Sequence, residues 1–278
     1  MLTSLKKTSD IALFYLRLKF NKNLLPLCYF NDVPNVGDEL NLTLISKISG
    51  RTPVKPPSLR FFKHLCAVGS VLSSMNSKSV VWGSGLISEN AIDNIHQLGD
   101  IRAVRGYLTK KIIEQRFHIH LDVPLGDPAL LMPMFVKPAN VQKKYKFGLV
   151  LHYVDKYHPV RDLVPGLGGK IIDVAQDINE FVAEICQCEA IISSSMHGLI
   201  LADAYKIPNQ RIVLSNNIVG GDFKFQDYYS TTTQPENKPV VFSNNITTED
   251  IMSCLSLVAV KESILNLEHL LGSYPHDM

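Results

Sequence analysis

The sequence carries almost no excess of charge, and this scarcity argues against one class of partner. Among its 278 residues, 28 basic side chains face 26 acidic ones, so the formal net charge is only +2. A nucleic-acid-binding domain usually concentrates basic residues in one stripe, whereas the basic pairs here are scattered along the chain. We therefore expect no nucleic-acid partner.

Cysteine is also scarce, and its spacing argues against a metal centre. The five cysteines are an odd number, and only one residue separates Cys186 from Cys188. Zinc sites usually leave roughly two to four residues between paired cysteines. The nine histidines are dispersed and form no ligand pattern with carboxylates. We expect reduced thiols in a reducing compartment, no metal and no cofactor.

Long hydrophobic runs are absent from the N-terminal region. The apolar run at residues 11–16 is interrupted by Arg17 and Lys19, which makes it too short for a signal peptide or a membrane span. An amphipathic first helix is predicted instead. Its basic, aromatic and aliphatic residues are compatible with a weak peripheral contact with the inner face of the cytoplasmic membrane, which is the less favoured alternative to a plain surface helix. The expected location is cytoplasmic.

The sequence does contain a regular alternation of short apolar strands and helical segments. Such alternation predicts an α/β fold with parallel sheets joined by right-handed crossovers, here as two Rossmann-like domains. Four prolines within residues 124–138, followed by polar residues, predict a boundary near residue 140. The predicted domains are residues 1–140 and 141–278, the second opening with a strand at 147–153 and ending in helical structure at 248–271.

Ligands of such folds bind beyond the carboxyl ends of the parallel strands, so the loops after strands are where polar residues matter most. Glycines let a backbone approach a ligand closely, and an arginine at a strand end matches a carboxylate or phosphate with two hydrogen bonds. The candidates in these loops are Asn35, Gly37, Asp38, Gly83, Ser84, Gly85, Arg105 and Asp127.

The loop at residues 192–198 is the most informative, because it joins a buried strand to a helix. Ser193, Ser194 and Ser195 supply hydroxyl groups, and free N–H groups at the start of a helix form an anion site that extends to Gly198. His197, in the first helical turn, is a candidate acid or base near neutral pH. A second histidine, His152, is predicted at the same edge of the sheet.

Each candidate also has a structural interpretation. Asn35 or Asp38 can cap the helix that follows, and the glycines can serve a plain turn. Arg105 can form a surface ion pair, and Asp127 can form an Asx turn before proline. The histidines can be satisfied core residues.

The assembled loops resemble the polysaccharide pyruvyl transferase family, most closely its shorter exopolysaccharide-type members. The motifs occur in the order of the family and cover most of residues 30–210. They are Asn35-Val-Gly-Asp-Glu-Leu-Asn41, Val81-Trp-Gly-Ser-Gly85, Val104-Arg-Gly106, Gly126-Asp-Pro-Ala-Leu-Leu131, His152-Tyr153 and Ile192-Ser-Ser-Ser-Met-His-Gly198.

This resemblance implies a GT-B-like arrangement of two domains, with phosphoenolpyruvate as the donor. It implies transfer of the pyruvyl group to a hexose of a surface polysaccharide, or of its lipid-linked glycan precursor, giving a pyruvyl ketal and phosphate. Arg105 and His197 match donor-site positions of the family, with Asp127 nearby. Many members carry arginine where this chain has Ser195.

Two other functions fit the same loops. A nucleotide-sugar-dependent glycosyltransferase of GT-B type also needs anion sites between two Rossmann-like domains. A non-catalytic glycan-binding protein can retain the fold without the reaction. The choice of donor distinguishes the two enzymes, and phosphate release distinguishes both transferases from a binding protein.

Overall fold

The computed structural model describes residues 2–139 and 141–278, without the side chains of residues 2–7 and Asp38. Its α-helices are α1 (Leu2–Phe20), α2 (Val36–Ser49), α3 (Tyr107–Phe117), α4 (Met132–Phe135), α5 (Val160–Leu163), α6 (Ile178–Cys186), α7 (Met196–Ala204), α8 (Phe223–Tyr229), α9 (Thr248–Leu255) and α10 (Leu267–Gly272). Its strands are β1 (Leu24–Cys28), β2 (Thr52–Val54), β3 (His64–Cys66), β4 (Ser79–Trp82), β5 (Asp100–Ala103), β6 (Phe147–Val150), β7 (Gly169–Ile172), β8 (Ile191–Ser193), β9 (Asn209–Val213) and β10 (Val240–Val241).

These strands form two parallel five-stranded sheets. The first has the order β2-β1-β3-β4-β5 and the second the order β10-β9-β8-β6-β7, and the described pairings between these strands are parallel. The central strands are buried on both faces, as their continuous apolar sequences require. The predicted α/β class with two Rossmann-like parallel sheets is therefore confirmed.

Local sequence signals explain where two of the site-forming helices begin. The Asn35 side chain accepts a hydrogen bond from the backbone N–H of Gly37 and so caps α2, which ends at Gly50 in the left-handed conformation. Asp177 caps α6 by accepting from the N–H groups of Asn179 and Glu180. Helices α2 and α6 pack against each other across the two halves, within one continuous apolar core.

The C-terminal residues return to the first sheet. The indole N–H of Trp82 donates to the carbonyl oxygen of Leu270 over 2.9 Å, and the ring of Tyr274 meets the indole edge-on at 4.9 Å. Arg51 donates to the carbonyl oxygen of Met278 over 2.6 Å. The division into domains at residue 140 stays a prediction, and Asn140 itself lies outside the described residues.

Several predicted elements were wrong in extent. Residues 248–271 form α9 and α10 rather than one helical stretch, because the chain between them bridges to Asn209 through Ala259 and to Thr232 through Ser263. The strand predicted over residues 147–153 ends at Val150, so His152 follows the strand instead of closing it.

The proline-rich segment at 124–138 is more regular than predicted. It forms a buried 3-10 helix, Pro128–Leu131, that runs into α4. Proline is tolerated at the first position of such a helix, since its missing N–H would have no partner there. The segment lies in the core between the halves rather than in an exposed linker.

Helix α1 packs on the first half through one face only. The ring of Phe14 is buried and meets Phe62 edge-on at 4.8 Å, while Leu13, Leu16 and Phe20 are exposed. Within the described part of the chain, no helix is both long enough and apolar enough to cross a bilayer.

Candidate active site

A cavity of about 600 Å³ lies between the two halves, at the carboxyl ends of their strands. Both halves contribute to its wall, so the cavity exists only where the two sheets face each other. The polar residues of its wall include Asn35, Lys55 and Ser70 from the first half. From the second half they include His152, Ser195, His197, Asn217 and Lys224.

The start of α7 faces this cavity. Strand β8 leads into α7 through Ser194 and Ser195, and Ser195 occupies the position before the first helical turn without making a capping hydrogen bond through its side chain. The hydroxyl of Ser193 instead accepts from the backbone N–H of Ser195 over 3.0 Å and donates to the carbonyl oxygen of Val150. Because no side chain caps this helix, its first-turn N–H groups and positive dipole end remain available to an anion.

His197 projects from the first turn of α7 toward the first half. Its Nε2 is buried and has no hydrogen-bond partner among the described residues. Its Nδ1 lies where a side chain at Gly37 would be, since a Cβ atom there would approach Nδ1 to 2.5 Å. Burial, and then the positive charges of Lys224 and Arg105 with His152, lower the pKa of His197 to about 3. The imidazole is therefore neutral at physiological pH.

Lys224 supplies the buried cation of the cavity wall, whereas Lys55 is exposed. It lies on α8, its side chain is only 8% exposed, and it forms no ion pair with any residue that the structure describes. Burial, with repulsion from Arg105 and Arg211, lowers the pKa of its ammonium group to about 8. A buried cation without a counter-ion is costly, and an anionic ligand would offset that cost.

His152 is the second histidine of the wall. Its backbone N–H donates to the Ser194 hydroxyl over 2.9 Å, which ties the loop after β6 to the serine loop after β8. Its ring stacks at a tilt on Tyr153, with 4.3 Å between ring centres. Burial and the nearby Lys224 lower the pKa of His152 to about 4, although Asp155 opposes the shift.

Arg105 lies one layer behind the wall. Its guanidinium is fully buried and donates from Nε to Asp227 over 2.9 Å, from Nη1 to the Ser70 hydroxyl over 2.7 Å and from Nη2 to the Leu86 carbonyl over 2.6 Å. Ser70 stands between the guanidinium and the cavity. Gly85 makes room for it, because a Cβ atom there would lie 2.3 Å from the guanidinium carbon. Arg105 thus raises the positive potential of the cleft from a buried position.

Asp127 is also buried behind the wall. One carboxylate oxygen accepts from the backbone N–H of Ala129 and caps the 3-10 helix, as the Asx-turn interpretation predicts. The other oxygen has no partner among the residues described here. Burial is the main cause that raises the pKa of Asp127 to about 6.

The structure therefore sorts the predicted site residues into two groups, and the catalytic and binding roles assigned to them stay predictions. On the wall lie Asn35, His152, Ser195 and His197. Behind the wall lie Gly37, Gly83, Ser84, Gly85, Arg105, Asp127, Ser193, Ser194 and Gly198. The side chain of Asp38 lies outside the described part.

Sequence reasoning missed Lys224 and Ser70 as wall residues. Lys224 lies in the polar stretch at 216–247, which looks like a long connection. A weak signal was present, since Phe225, Tyr228 and Tyr229 follow the spacing of a buried helical face and are buried in the structure.

The fold and the cleft define an α/β protein with a cavity between two parallel sheets. Among the described residues, its wall carries Lys55, Lys224, His152 and His197 against one acidic residue, Asp32. Nowhere in the described ranges do three or more histidine, cysteine or acidic side chains gather into a possible metal site. The cavity wall offers amide groups, imidazoles and ammonium groups, which are the kinds of group that hold anions in proteins.

Comparison with known proteins identifies the family. The sequence model of the family described as polysaccharide pyruvyl transferase matches residues 14–212. The chain is 30% identical to the succinoglycan biosynthesis protein ExoV of Rhizobium meliloti (strain 1021) over 219 residues, which are 74% of this chain and 65% of ExoV. It is 28% identical to the uncharacterized protein L143 of Acanthamoeba polyphaga mimivirus over 209 residues, 73% and 72% of the two chains. The chain therefore belongs to the polysaccharide pyruvyl transferase family, as its motifs predicted, and it is a pyruvyltransferase.

Proposed function

We propose that the enzyme transfers the pyruvyl group of phosphoenolpyruvate to two hydroxyl groups of one hexose, within a surface polysaccharide or its lipid-linked precursor. The products are a cyclic pyruvyl ketal and phosphate. One observation carries the proposal: the uncapped start of α7, His197 and the unpaired ammonium of Lys224 meet in a single cavity.

The electrostatics of the cavity suit a small donor with several negative charges. Three groups on its wall, His152, His197 and Lys224, have pKa values lowered by burial and by neighbouring positive charge. Phosphoenolpyruvate carries a carboxylate and a phosphate, and either would offset this repulsion. Binding of the donor therefore raises the pKa of all three groups, so that donor binding is coupled to proton uptake.

The reaction balances without a metal or a redox cofactor. The methylene carbon of the donor gains a proton, and the first sugar hydroxyl adds to the central carbon. The second hydroxyl then displaces phosphate by C–O cleavage and closes the ketal ring. The two hydroxyl protons end on the new methyl group and on the released phosphate. Neutral His197 is the proposed base that accepts a proton from a sugar hydroxyl. Once the donor has raised its pKa, the protonated imidazole is the proposed acid for the methylene carbon.

The remaining residues of the cleft have positioning roles in this proposal. The amide groups at the start of α7 and Lys224 hold the donor phosphate, which develops negative charge as it leaves. Ser70, fixed by Arg105, lines the cavity from the first half. The facing of two sheets across this cavity supports a GT-B-like arrangement, with the acceptor entering from the open side.

The acceptor is proposed from the family and from the relative ExoV, whose name places it in succinoglycan biosynthesis. An exopolysaccharide repeat unit, free or on its lipid carrier, is the corresponding acceptor class for this chain. Repeat units of this kind are assembled before export, so we place the enzyme in the cytoplasm.

Donor choice is the sharpest test. We expect phosphoenolpyruvate to raise the thermal unfolding midpoint, and a panel of nucleotide sugars to leave it unchanged. Incubation with phosphoenolpyruvate and a glycan repeat unit should release phosphate and give a product whose mass corresponds to one added ketal. Stabilisation by a nucleotide sugar alone would assign a glycosyltransferase, and the absence of both responses with intact glycan binding would assign a binding protein.

A further inference from the structure

Helix α1 has two apolar stripes on opposite faces. Ile11, Phe14 and Leu18 form the stripe that packs against the protein. The second stripe consists of Leu13, Leu16 and Phe20, which are 60%, 49% and 80% exposed. Residues spaced by three and four positions align along a helix, so these three side chains form a continuous outward line. A helix packed on one side of a soluble protein needs only the first stripe.

Basic residues flank the exposed stripe. Arg17 and Lys19 lie on its two sides, and Asp10 is the only acidic residue of α1. The neighbouring segment at 55–63 adds three basic residues and no acidic residue, together with Phe61, which is largely exposed. Apolar side chains bordered by cations are the chemistry that binds an anionic lipid surface.

Helix α1 is linked to the cavity wall by a short segment. The segment at 55–63 connects the two, because Leu59 lines the cavity and Phe62 packs on Phe14 of α1. Two residues separate Leu59 from Phe62, so these side chains are joined by at most about 11 Å of extended chain. Helix α1 and the cavity wall therefore lie in neighbouring parts of the first half.

We infer that α1, together with residues 60–63, docks the enzyme on an anionic membrane surface. The apolar stripe enters the boundary between headgroups and acyl chains, while Arg17 and Lys19 meet lipid phosphates. The orientation presents the cavity to the membrane, which would deliver a lipid-linked acceptor; this last consequence rests on the proposed function.

A second copy of the chain is the competing occupant of this stripe, and the charges argue against it. A twofold contact through Leu13, Leu16 and Phe20 would bring the flanking Arg17 and Lys19 of both copies together. Like charges at the edge of an interface oppose association, whereas anionic lipids neutralise them.

The test is co-sedimentation of the full chain with vesicles, in the absence of donor and acceptor. We expect binding to phosphatidylcholine vesicles that contain phosphatidylglycerol, weaker binding to phosphatidylcholine alone, and loss of binding as salt rises. The triple variant Leu13→Ser, Leu16→Ser, Phe20→Ser should reduce the partition coefficient at least about tenfold. The matched control is Met252→Ser with Leu257→Ser, which removes two exposed apolar side chains from the second half and should bind as wild type.

Three outcomes would overturn the inference. They are failure of the wild-type chain to bind anionic vesicles, unchanged binding by the triple variant, and conversion of a dimer to a monomer by the triple variant in sedimentation velocity. Phosphate release with a water-soluble glycan acceptor should be the same in the triple variant and wild type. If neither protein releases phosphate, the result counts against the proposed reaction and leaves the vesicle-binding result unaffected.

Discussion

Arg105 and Asp227 form a fully buried ion pair that joins the two halves, with 2.9 Å between Nε and Oδ2. Asp227 also accepts from the backbone N–H and the hydroxyl of Thr109, over 2.8 and 2.7 Å. The carboxylate belongs to α8 of the second half, yet these partners lie in the first. Helix α8 is therefore fixed to the first half, and with it Lys224.

Replacing Asp227 with alanine should destabilise the protein by about 3–5 kcal/mol, because Arg105 would remain buried without its counter-ion. Urea denaturation measures this change in the free energy of unfolding. The control is Asp100→Ala, which breaks the exposed pair with Arg102 and should cost less than about 1 kcal/mol. Equal effects of the two substitutions would show that the buried pair does not hold the halves together.

Lys224→Met should weaken phosphoenolpyruvate binding roughly tenfold to hundredfold, the usual worth of a hydrogen bond to a charged group. Lys224→Arg, which keeps the charge, should retain most of the affinity. Calorimetric titration of the donor measures both. For the wild type, the affinity for phosphoenolpyruvate should fall as pH rises through about 8, because Lys224 of the free protein loses its proton there. An affinity that is independent of pH in this range would remove Lys224 from the donor site.

The same substitution should stabilise the protein. The pKa of Lys224 is about 8 in the folded protein, below its ordinary value of 10.5, so the unfolded chain binds more protons between these values. The stability of the wild type must therefore rise with pH across that window. Lys224→Met removes this dependence and should add about 1–3 kcal/mol at neutral pH. A variant that is less stable than wild type at neutral pH would indicate a structural role for the ammonium group.

Gly37→Ala tests the contact between the first half and His197, the proposed acid or base. The new methyl group would lie 2.5 Å from Nδ1 of His197, so the imidazole must move. We expect turnover to fall at least about tenfold, since small displacements of a catalytic group are costly. Gly166→Ala is the matched control, because a Cβ atom there meets nothing within 4 Å. Unchanged turnover in Gly37→Ala would show that the position of His197 tolerates displacement.

His197→Ala should lower the rate of phosphate release about 10²- to 10⁴-fold, the usual contribution of a general acid or base. The exposed His269 provides the control, and His269→Ala should turn over as wild type. A steady-state assay with saturating donor separates loss of catalysis from loss of binding. Near-normal turnover in His197→Ala would exclude the histidine as the proton-transfer group.

The sequence predicted the elements whose signals are local. The buried apolar runs of β1, β4 and β8 and the cap at Asp177 all depend on neighbours in the chain. The loop at 192–198 was recognised because a strand, serines and a helix start follow one another directly.

The sequence could not show which side chains line the cavity and which are buried behind its wall. Arg105 looks like a substrate-binding arginine, but its partner Asp227 is 122 residues away in the chain. Lys224 is placed by packing of α8 between the halves, which no local pattern encodes. Both depend on contacts that exist only in the folded protein.

The return of the C-terminal segment to the first sheet makes the two halves mutually dependent. Trp82 is fully buried, and its indole N–H donates to the carbonyl oxygen of Leu270 in α10 and to the hydroxyl of Ser273. A fragment that stops after residue 140 would leave this indole uncovered and its N–H without those acceptors. The native burial of Trp82 therefore has to follow synthesis of α10 and Tyr274.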